Sequence, residues 1–365
     1  MDFYRPQKGT PVSELETPCF IVDMDALESN FRVIADTYRN TAVKMREHTK
    51  NLKSPFIAKL QIDIGGTNGG VCTAKVSEAE VMVQGGIKDI LIPNQIVTDE
   101  KIARLCALAK VGDMKVCVDN ERNVRDIARV ASANGVTIGI LIEIDTDMHR
   151  AGVRTSKHAV ELAKLASSLP GVAFRGVMSH QTIDGWPDKE TRYIVGRKFF
   201  DICMEAVKAI EKAGMPVEIV SSGETYTYDL ATEIPGVTEV EGGTYALMDV
   251  TNAYMTEFQM AGMLLATVVS APRPGVAVAD IGTRAICPIK GYWPKVAMKG
   301  VTIEELHSEH MVLKLDAGVK IKAGDKLTVH PGYQDGLVNR WDQFIAIRGG
   351  QVEAVYDIPG RGCFY

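Results

Sequence analysis

Apolar residues in this chain follow two rhythms. Between about residues 25 and 260, short and nearly unbroken apolar runs alternate with longer segments whose apolar positions recur every three or four residues. The runs GVCTA (70–74), DILIP (89–93), MKVCVD (114–119), TIGILIEID (137–145), FRGVMSH (174–180), VEIVSS (217–222) and VTEVEGG (237–243) read as strands, and a further one opens the stretch Thr41 to Pro55. Segments near 52–63, 76–84, 98–110, 121–134, 156–167, 189–213 and 225–233 read as helices. Strands that are apolar along their length are buried on both faces, as parallel strands are, and the intervening helices supply the crossovers. About eight such units predict a closed (β/α)8 barrel of the TIM type over 25–260 rather than an open doubly wound sheet.

The rhythm then changes. MLLATVVS, GVAVADIG, HMVLKLDAG, DKLTVHPG, QFIAIRGG and QVEAVYD are short strands separated by Gly, Pro and Asp turns, with one brief helical signal at 302–306. A mostly antiparallel β domain over 261–365 follows, with a boundary near 258–264. The strand at 19–23, after Thr17-Pro18, can return to that domain, so residues 1–24 are assigned to it. Asp25 to Glu28 then begin an amphipathic helix with Leu27, Phe31, Ile34 and Ala35 on one face.

Composition narrows the function classes. The 365 residues are 46% hydrophobic and 24% charged with a net charge of -5, which suits a large-cored protein and offers no basic surface to nucleic acid or an anionic membrane. No apolar run reaches the ~18 residues of a membrane span, and MDFYRPQKG lacks a signal-peptide core, so a cytoplasmic protein is expected. Seven scattered cysteines, none spaced C-x-x-C, argue against a disulfide framework or structural zinc.

The candidate chemistry lies where strands end. In TAVKMREHTKNLKSP, Lys44, Arg46, His48, Lys50 and Lys53 fall within ten residues, and Ser54-Pro55 reads as a capped helix start. Lys50, at the strand end, is the candidate for a covalent lysine; a basic surface loop would look the same locally. TDMHRAGV clusters Asp145, Asp147, His149 and Arg150, where Arg150 suits either a phenolate or carboxylate oxygen of a ligand or an ion pair with Asp145 or Asp147. His180 ends another strand. Ser222, Gly223 and Thr225 end one late strand and Gly243, Thr244 and Tyr245 the next, a pairing of small and hydroxyl residues suited to a phosphate. A lysine on the first barrel strand, an arginine and a histidine mid-barrel and a phosphate cup on the last strands together describe a pyridoxal phosphate site.

The stretches TPCFIVDMDALESN, REHTKNLKSPFIA, TAKVSEAEVMVQGGIKDILIPNQIV, IEIDTDMHRAGV, GVMSH, SSGETYTYD, GGTYALMD, VVSAPRPGVAVADIGTRA and LHSEHMVL run in the order in which they occur in a known family. The chain resembles the D-threonine aldolase and D-serine dehydratase family of fold-type III pyridoxal enzymes, which share an alanine racemase-like barrel and C-terminal β domain. The resemblance implies that Lys50 forms the Schiff base, Arg150 binds the cofactor's phenolic oxygen, His180 stacks on or orients the ring, and Ser222, Gly223, Thr225, Gly243, Thr244 and Tyr245 hold the phosphate. His48 is retained from the family's basic run, whereas Leu52 replaces a histidine. The family's metal-binding members carry a Pro-x-His-x-Cys or Pro-x-His-x-Asp segment; aligned on Pro331 and Asn339, this chain has Tyr333 in place of that histidine and Asp335 in the second place. A divalent metal (Mn, Mg or Zn) is thus left open, with His330 as a substitute ligand, and without one Tyr333, His307 or His310 would serve at the substrate's β-hydroxyl.

The resemblance implies a lyase that cleaves a D-β-hydroxy-α-amino acid to glycine and an aldehyde. D-serine or 3-hydroxy-D-aspartate dehydratase is the alternative, and racemase or epimerase a third. A non-catalytic cofactor carrier would resemble the barrel alone. The family also implies a homodimer with shared active sites and a small amino-acid substrate. Trp186, Trp293, Arg284 and Arg340 are each placed to line the substrate pocket or merely to cover the surface.

Overall fold

A computed structural model describes residues 4–181, 188–289 and 291–365. The chain begins with β1 (Cys19–Asp23) and α1 (Met24–Tyr38). It then alternates β2 (Lys44–His48), α2 (Pro55–Ile64), β3 (Thr67–Cys72), α3 (Val76–Gln84), β4 (Asp89–Ile92), α4 (Asp99–Ala109), β5 (Asp113–Val118) and α5 (Glu121–Ala133). The alternation continues through β6 (Ile138–Glu143), α6 (Ser156–Ser168), β7 (Val172–Ser179), α7 (Lys189–Lys212), β8 (Ile219–Ser222) and β9 (Glu239–Val240). Strands β2 to β9 pair in parallel, each with the next, and β9 returns to β2 to close the barrel. The expected eight-stranded barrel is therefore present. Its helices start where short polar side chains cap the free N–H groups: Thr98, Asn120, Thr155 and Asp188 each accept a backbone N–H three residues on. Ser54 holds the same position before α2, with Pro55 at the first helical place, but its hydroxyl makes no cap bond.

Every second residue of a barrel strand points inward, and the inward residues differ from floor to mouth. At the floor, Arg46 donates through Nε and Nη2 to Glu239 at 2.8 and 3.0 Å and through Nη1 to Asp89 at 2.6 Å. Lys115, fully buried, joins Asp89 to Asp113 at 2.9 and 2.7 Å. Burial would raise Asp89, but Arg46 and Lys115 hold it below the usual carboxylate range. Above this ionic plug sits a dry layer of Cys72, Leu91, Cys117, Leu141, Met178 and Ile219. Gly176 lets β7 and β8 approach, since a Cβ there would lie 1.8 Å from the Ile219 carbonyl oxygen.

Two expectations are corrected within the barrel. The segment 225–233 is two separate 3-10 turns, Thr225–Thr227 and Leu230–Glu233, because its local side-chain bonds to the backbone compete with a longer helix. The strand expected over 237–243 is regular only at β9, and its two glycines lie beyond it.

The remaining elements form a second compact unit, Met1–Phe31, Asn51–Lys53 and Thr244–Gly362. It holds α8 (Thr244–Leu247), β10 (Gly262–Arg273), β11 (Val276–Ala279), α9 (Thr283–Ile286), β12 (Lys295–Val296), β13 (Val301–Leu306) and β14 (Met311–Leu315). After these come β15 (Lys326–His330), α10 (Gln334–Leu337), β16 (Gln343–Arg348) and β17 (Gln351–Asp357). The sheet runs β13-β14-β11-β10-β1-β16-β17, with β15 on β10 and β12 on β15. Strand β1 pairs antiparallel with β10 and parallel with β16, so the N-terminal run does belong to this sheet. The helical signal at 302–306 is strand β13. Val301 and Ile303 are buried while Thr302 and Glu304 are exposed, a period of two that the two glutamates disguise. All seven cysteines are free, five of them buried. Among the described residues no helix is long and apolar enough to cross a membrane.

Candidate active site

The barrel mouth contains a cavity of about 90 Å³ lined by His48, Lys50, Ala74, Pro93, Asn94, Arg150, Met178, His180 and Glu241. Lys50 sits in the 3-10 turn Thr49–Asn51, two residues past the end of β2, and Thr49 ties that turn to β3 by donating to the Cys72 carbonyl at 3.0 Å. His48 is the last residue of β2, and its Nδ1 accepts the Lys50 backbone N–H at 3.5 Å.

Arg150 is placed by the loop after β6. Asp145 accepts the backbone N–H groups of Met148 and His149, both at 3.0 Å, and Nε of Arg154 at 3.1 Å. Asp147 and His149 take left-handed φ values of 73 and 56° in consequence. Burial would raise Asp145, yet these donors hold its carboxyl below the usual range. The alternative of an Arg150 ion pair with Asp145 or Asp147 gives way to a different acid. Its Nη2 lies 3.7 Å from Oε1 of Glu143, an almost fully buried carboxyl on β6 that also accepts a bond from Gln95. Burial raises Glu143, opposed by Gln95 and Arg150.

His180 stands one residue beyond β7. Burial in the mouth and then the charges of Lys50 and Arg150 push it down to about 3, so its imidazole is neutral at ordinary pH. Lys50, Arg150 and His180 therefore line one cavity, and the two cations act on the imidazole.

The late strand ends are close-packed. Gly223 has φ 100°, and a Cβ there would meet Phe200 at 3.0 Å and Oγ1 of Thr227 at 3.2 Å. Thr225 accepts the Gly243 N–H at 3.3 Å. The Ser222 hydroxyl is instead bonded to Ser179 at 2.8 Å, both fully or nearly buried, because β8 turns that side chain away from the interior. Thr244 and Tyr245 follow directly in the chain and belong to the sheet unit. There Thr244 accepts from Asn51 Nδ2 at 3.4 Å, and the buried Tyr245 ring packs against Phe31 and Phe258. Its side chain thus has a core role that the sequence did not disclose.

The other site candidates also lie in the sheet unit. Tyr333 precedes α10, its ring 5.2 Å from that of Tyr292, and Asp335 accepts a bond from Asn51 Nδ2. His330 ends β15 opposite Lys295, and burial lowers it. His307 lies 3.4 Å from Glu305, and its backbone N–H donates to the His310 carbonyl at 2.9 Å. Arg284 pairs with Glu309 at 2.5 Å, Arg340 donates to the Arg284 carbonyl at 3.4 Å, and Trp293 is half exposed. Trp186 lies outside the described residues.

Sequence reasoning passed over Glu143, Gln95 and Glu241. Glu241, on the interior face just beyond β9, accepts from Ser221 Oγ at 2.8 Å and from the Cys72 thiol at 3.1 Å. The available signal was an acid embedded in each of two buried runs, ILIEID and VTEVEGG.

These residues suit pyridoxal phosphate: two cations beside a neutral imidazole, with glycine and hydroxyl residues on the last two strand ends. Residues 22–250 match the family described as alanine racemase, N-terminal domain, and residues 261–347 the putative serine dehydratase domain. A 3-hydroxy-D-aspartate aldolase of Paracoccus denitrificans (strain Pd 1222) is 35% identical over 98% of this chain and 95% of its own length. This chain belongs to the D-threonine aldolase and D-serine dehydratase family, on the alanine racemase fold. A D-threonine aldolase of Arthrobacter sp is 30% identical, again over 98% of this chain and 95% of the relative. The solved structure of D-threonine aldolase from Filomicrobium marinum, 32% identical, superposes with a TM-score of 0.93 over 99% of this chain and 100% of that one. Family membership makes the chain a lyase of the pyridoxal-dependent class, and pyridoxal phosphate is its expected cofactor.

Proposed function

We propose that this enzyme cleaves a D-configured β-hydroxy-α-amino acid into glycine and an aldehyde. The observation that carries the reading is the mouth itself, where Lys50 and Arg150 flank a neutral His180 in a chain that aligns end to end with two aldolases. Pyridoxal phosphate, when bound, supplies an electron sink for a bond at the substrate's Cα. Lys50 would form the covalent link to the cofactor, Arg150 would donate to its phenolic oxygen, and the neutral His180 would orient the ring. Ser222, Gly223, Thr225 and Gly243 would hold the phosphate, the serine through its backbone because its hydroxyl is bonded to Ser179. His48 beside Lys50 would move protons within the cavity.

The donors around Tyr333 do not fit a divalent metal. Among the described residues no three or more His, Cys, Asp or Glu side chains gather as a metal would need, the Tyr333 ring packs on Tyr292, and a phenol of pKa near 10 is a poor ligand at neutral pH. His330 sits on a strand in register with Lys295, three residues from where a ligand is needed. We therefore expect turnover of D-threonine, D-phenylserine or D-3-hydroxyaspartate to survive a strong chelator within about twofold. Loss on chelation with recovery on added Mn would overturn this.

Product analysis tests the main reading. Glycine plus aldehyde is the expected result. The serine dehydratase match over residues 261–347 favours a second reading, in which a keto acid and ammonia appear from D-serine or D-3-hydroxyaspartate.

We also propose that the enzyme is a homodimer in which the sheet unit of one subunit completes the barrel mouth of the other. Size exclusion with light scattering should return about twice the 39.8 kDa chain mass, and a monomer at working concentration would sink the arrangement.

A further inference from the structure

A buried arginine ordinarily has an acid beside it, because a cation taken out of water is costly unless a negative charge answers it. Among the described residues Arg192, one turn into α7, departs from that rule. It is 4% exposed, its Nη1 donates to the Tyr226 backbone carbonyl, and its Nε has no hydrogen-bond partner. The acids on that turn and on the segment it holds are placed elsewhere. Asp188 and Glu190 stand at the surface, where Asp188 caps α7 by accepting the Thr191 N–H at 2.7 Å. Glu224 closes a capping box with Thr227, and Asp229 pairs with Lys189 at 3.1 Å.

The carbonyl that Arg192 holds belongs to the loop after β8, which carries Gly223 and Thr225 of the phosphate cup. That loop is pinned at three points. Thr225 accepts the Gly243 N–H at 3.3 Å, Tyr226 accepts from Arg192, and the Thr227 hydroxyl donates to Oε1 of the fully buried Gln181 at 2.8 Å. Gln181 follows His180 directly, so the segment that orients the ring also steadies this loop. Holding and charge can be separated by comparing two of the pins. A neutral amide is enough to fix Thr227, and one N–H from a neutral side chain would equally serve the Tyr226 carbonyl. Arginine adds a permanent positive charge that packing does not require, whereas a bound phosphate, carrying close to two negative charges, does.

We propose that Arg192 is a positioning residue for the cofactor's phosphate, fixing the loop 223–227 through Tyr226 and answering the phosphate charge from the α7 side of that loop. The proposal rests on the cofactor reading above. Arg192 acts through the loop rather than by touching the ligand. Its consequence is selectivity, because a charge outside the cup then favours the phosphorylated cofactor over pyridoxal.

The test measures the affinity of the cofactor-free protein for pyridoxal phosphate and for pyridoxal by equilibrium dialysis. Arg192→Gln keeps an N–H for the carbonyl and removes the charge; Arg192→Lys keeps the charge. The glutamine variant should bind pyridoxal phosphate about tenfold more weakly, the loss of one charge acting through protein, and pyridoxal within about twofold of the natural protein. The lysine variant should lie close to the natural protein for both. Equal weakening toward the two ligands, or none toward either, overturns the proposal, since a merely structural brace acts on both alike. So does a lysine variant as weak as the glutamine one. The phosphorus resonance of the bound cofactor is a readout that needs no variant. It should hold the dianion position across neutral pH, and a resonance that titrates near the free value of about 6 overturns the proposal. A natural protein that binds pyridoxal phosphate no better than pyridoxal overturns it as well. One that binds neither overturns the cofactor reading itself, so the two failures are told apart.

Discussion

Replacing Lys50 by alanine should abolish the cofactor's protein-bound absorbance band and lower turnover by about 10⁴-fold or more, a loss of the size seen when a covalent or proton-transfer group is removed. The fold should tolerate it. Lys50 is half-buried in a 3-10 turn whose anchor is the Thr49 hydroxyl on the Cys72 carbonyl, so no core volume is lost. The variant also has a signature that does not depend on activity. The Lys50 charge is the second cause, after burial, of the low His180 value; without it the imidazole must titrate higher, though still below the ordinary 6.5 because burial and Arg150 persist. Histidine proton resonances followed against pH in the cofactor-free protein would show this rise. Lys50→Arg separates the two roles, since it keeps a cation near His180 but cannot make the covalent link. Turnover in either variant would remove Lys50 from its assigned place.

The barrel was legible because strands buried on both faces leave unbroken apolar runs, and because helices between them keep a period near four. The second sheet was legible from Gly, Pro and Asp turns, apart from β13, whose paired glutamates broke the alternation at a register shift between Ile303 and Glu305. Lys50, Arg150 and His180 could be picked out because each is a charged or titratable residue at a strand end or in the loop that follows one. Their partners could not. Glu143 faces Arg150 across the first turn of a left-handed loop, and Glu241 meets residues on β3 and β8 that are 169 and 20 positions away in the chain. Tyr245 shows another gap: its ring packs against Phe31 and Phe258 through contacts that no local pattern records.

Arg46→Ala should be the most destabilising single change in the barrel, by about 3–5 kcal/mol, the usual result of leaving a buried charge without its partner. Arg46 is nearly fully buried and satisfies Glu239 with two parallel bonds and Asp89 with a third. Alanine would leave Glu239 with only Asn68, at 2.6 Å, and no cation. The position matters as well as the charge. Strands β2 and β9 close the barrel through a ladder of two residue pairs, Lys44 with Glu239 and Met45 with Val240, and β9 meets β8 at a single pair. The Arg46–Glu239 fork therefore reinforces one of the short seams of the barrel. With domain stabilities commonly about 5–15 kcal/mol, such a loss should bring the urea midpoint down steeply. Replacing the pair together, Arg46→Met with Glu239→Leu, removes both charges, leaves Asp89 to Lys115 at 2.9 Å, and should recover most of the loss. If Arg46→Ala costs less than about 1 kcal/mol, or the double variant is worse than the single, the seam is held by its backbone ladder and apolar layer, and the plug is incidental.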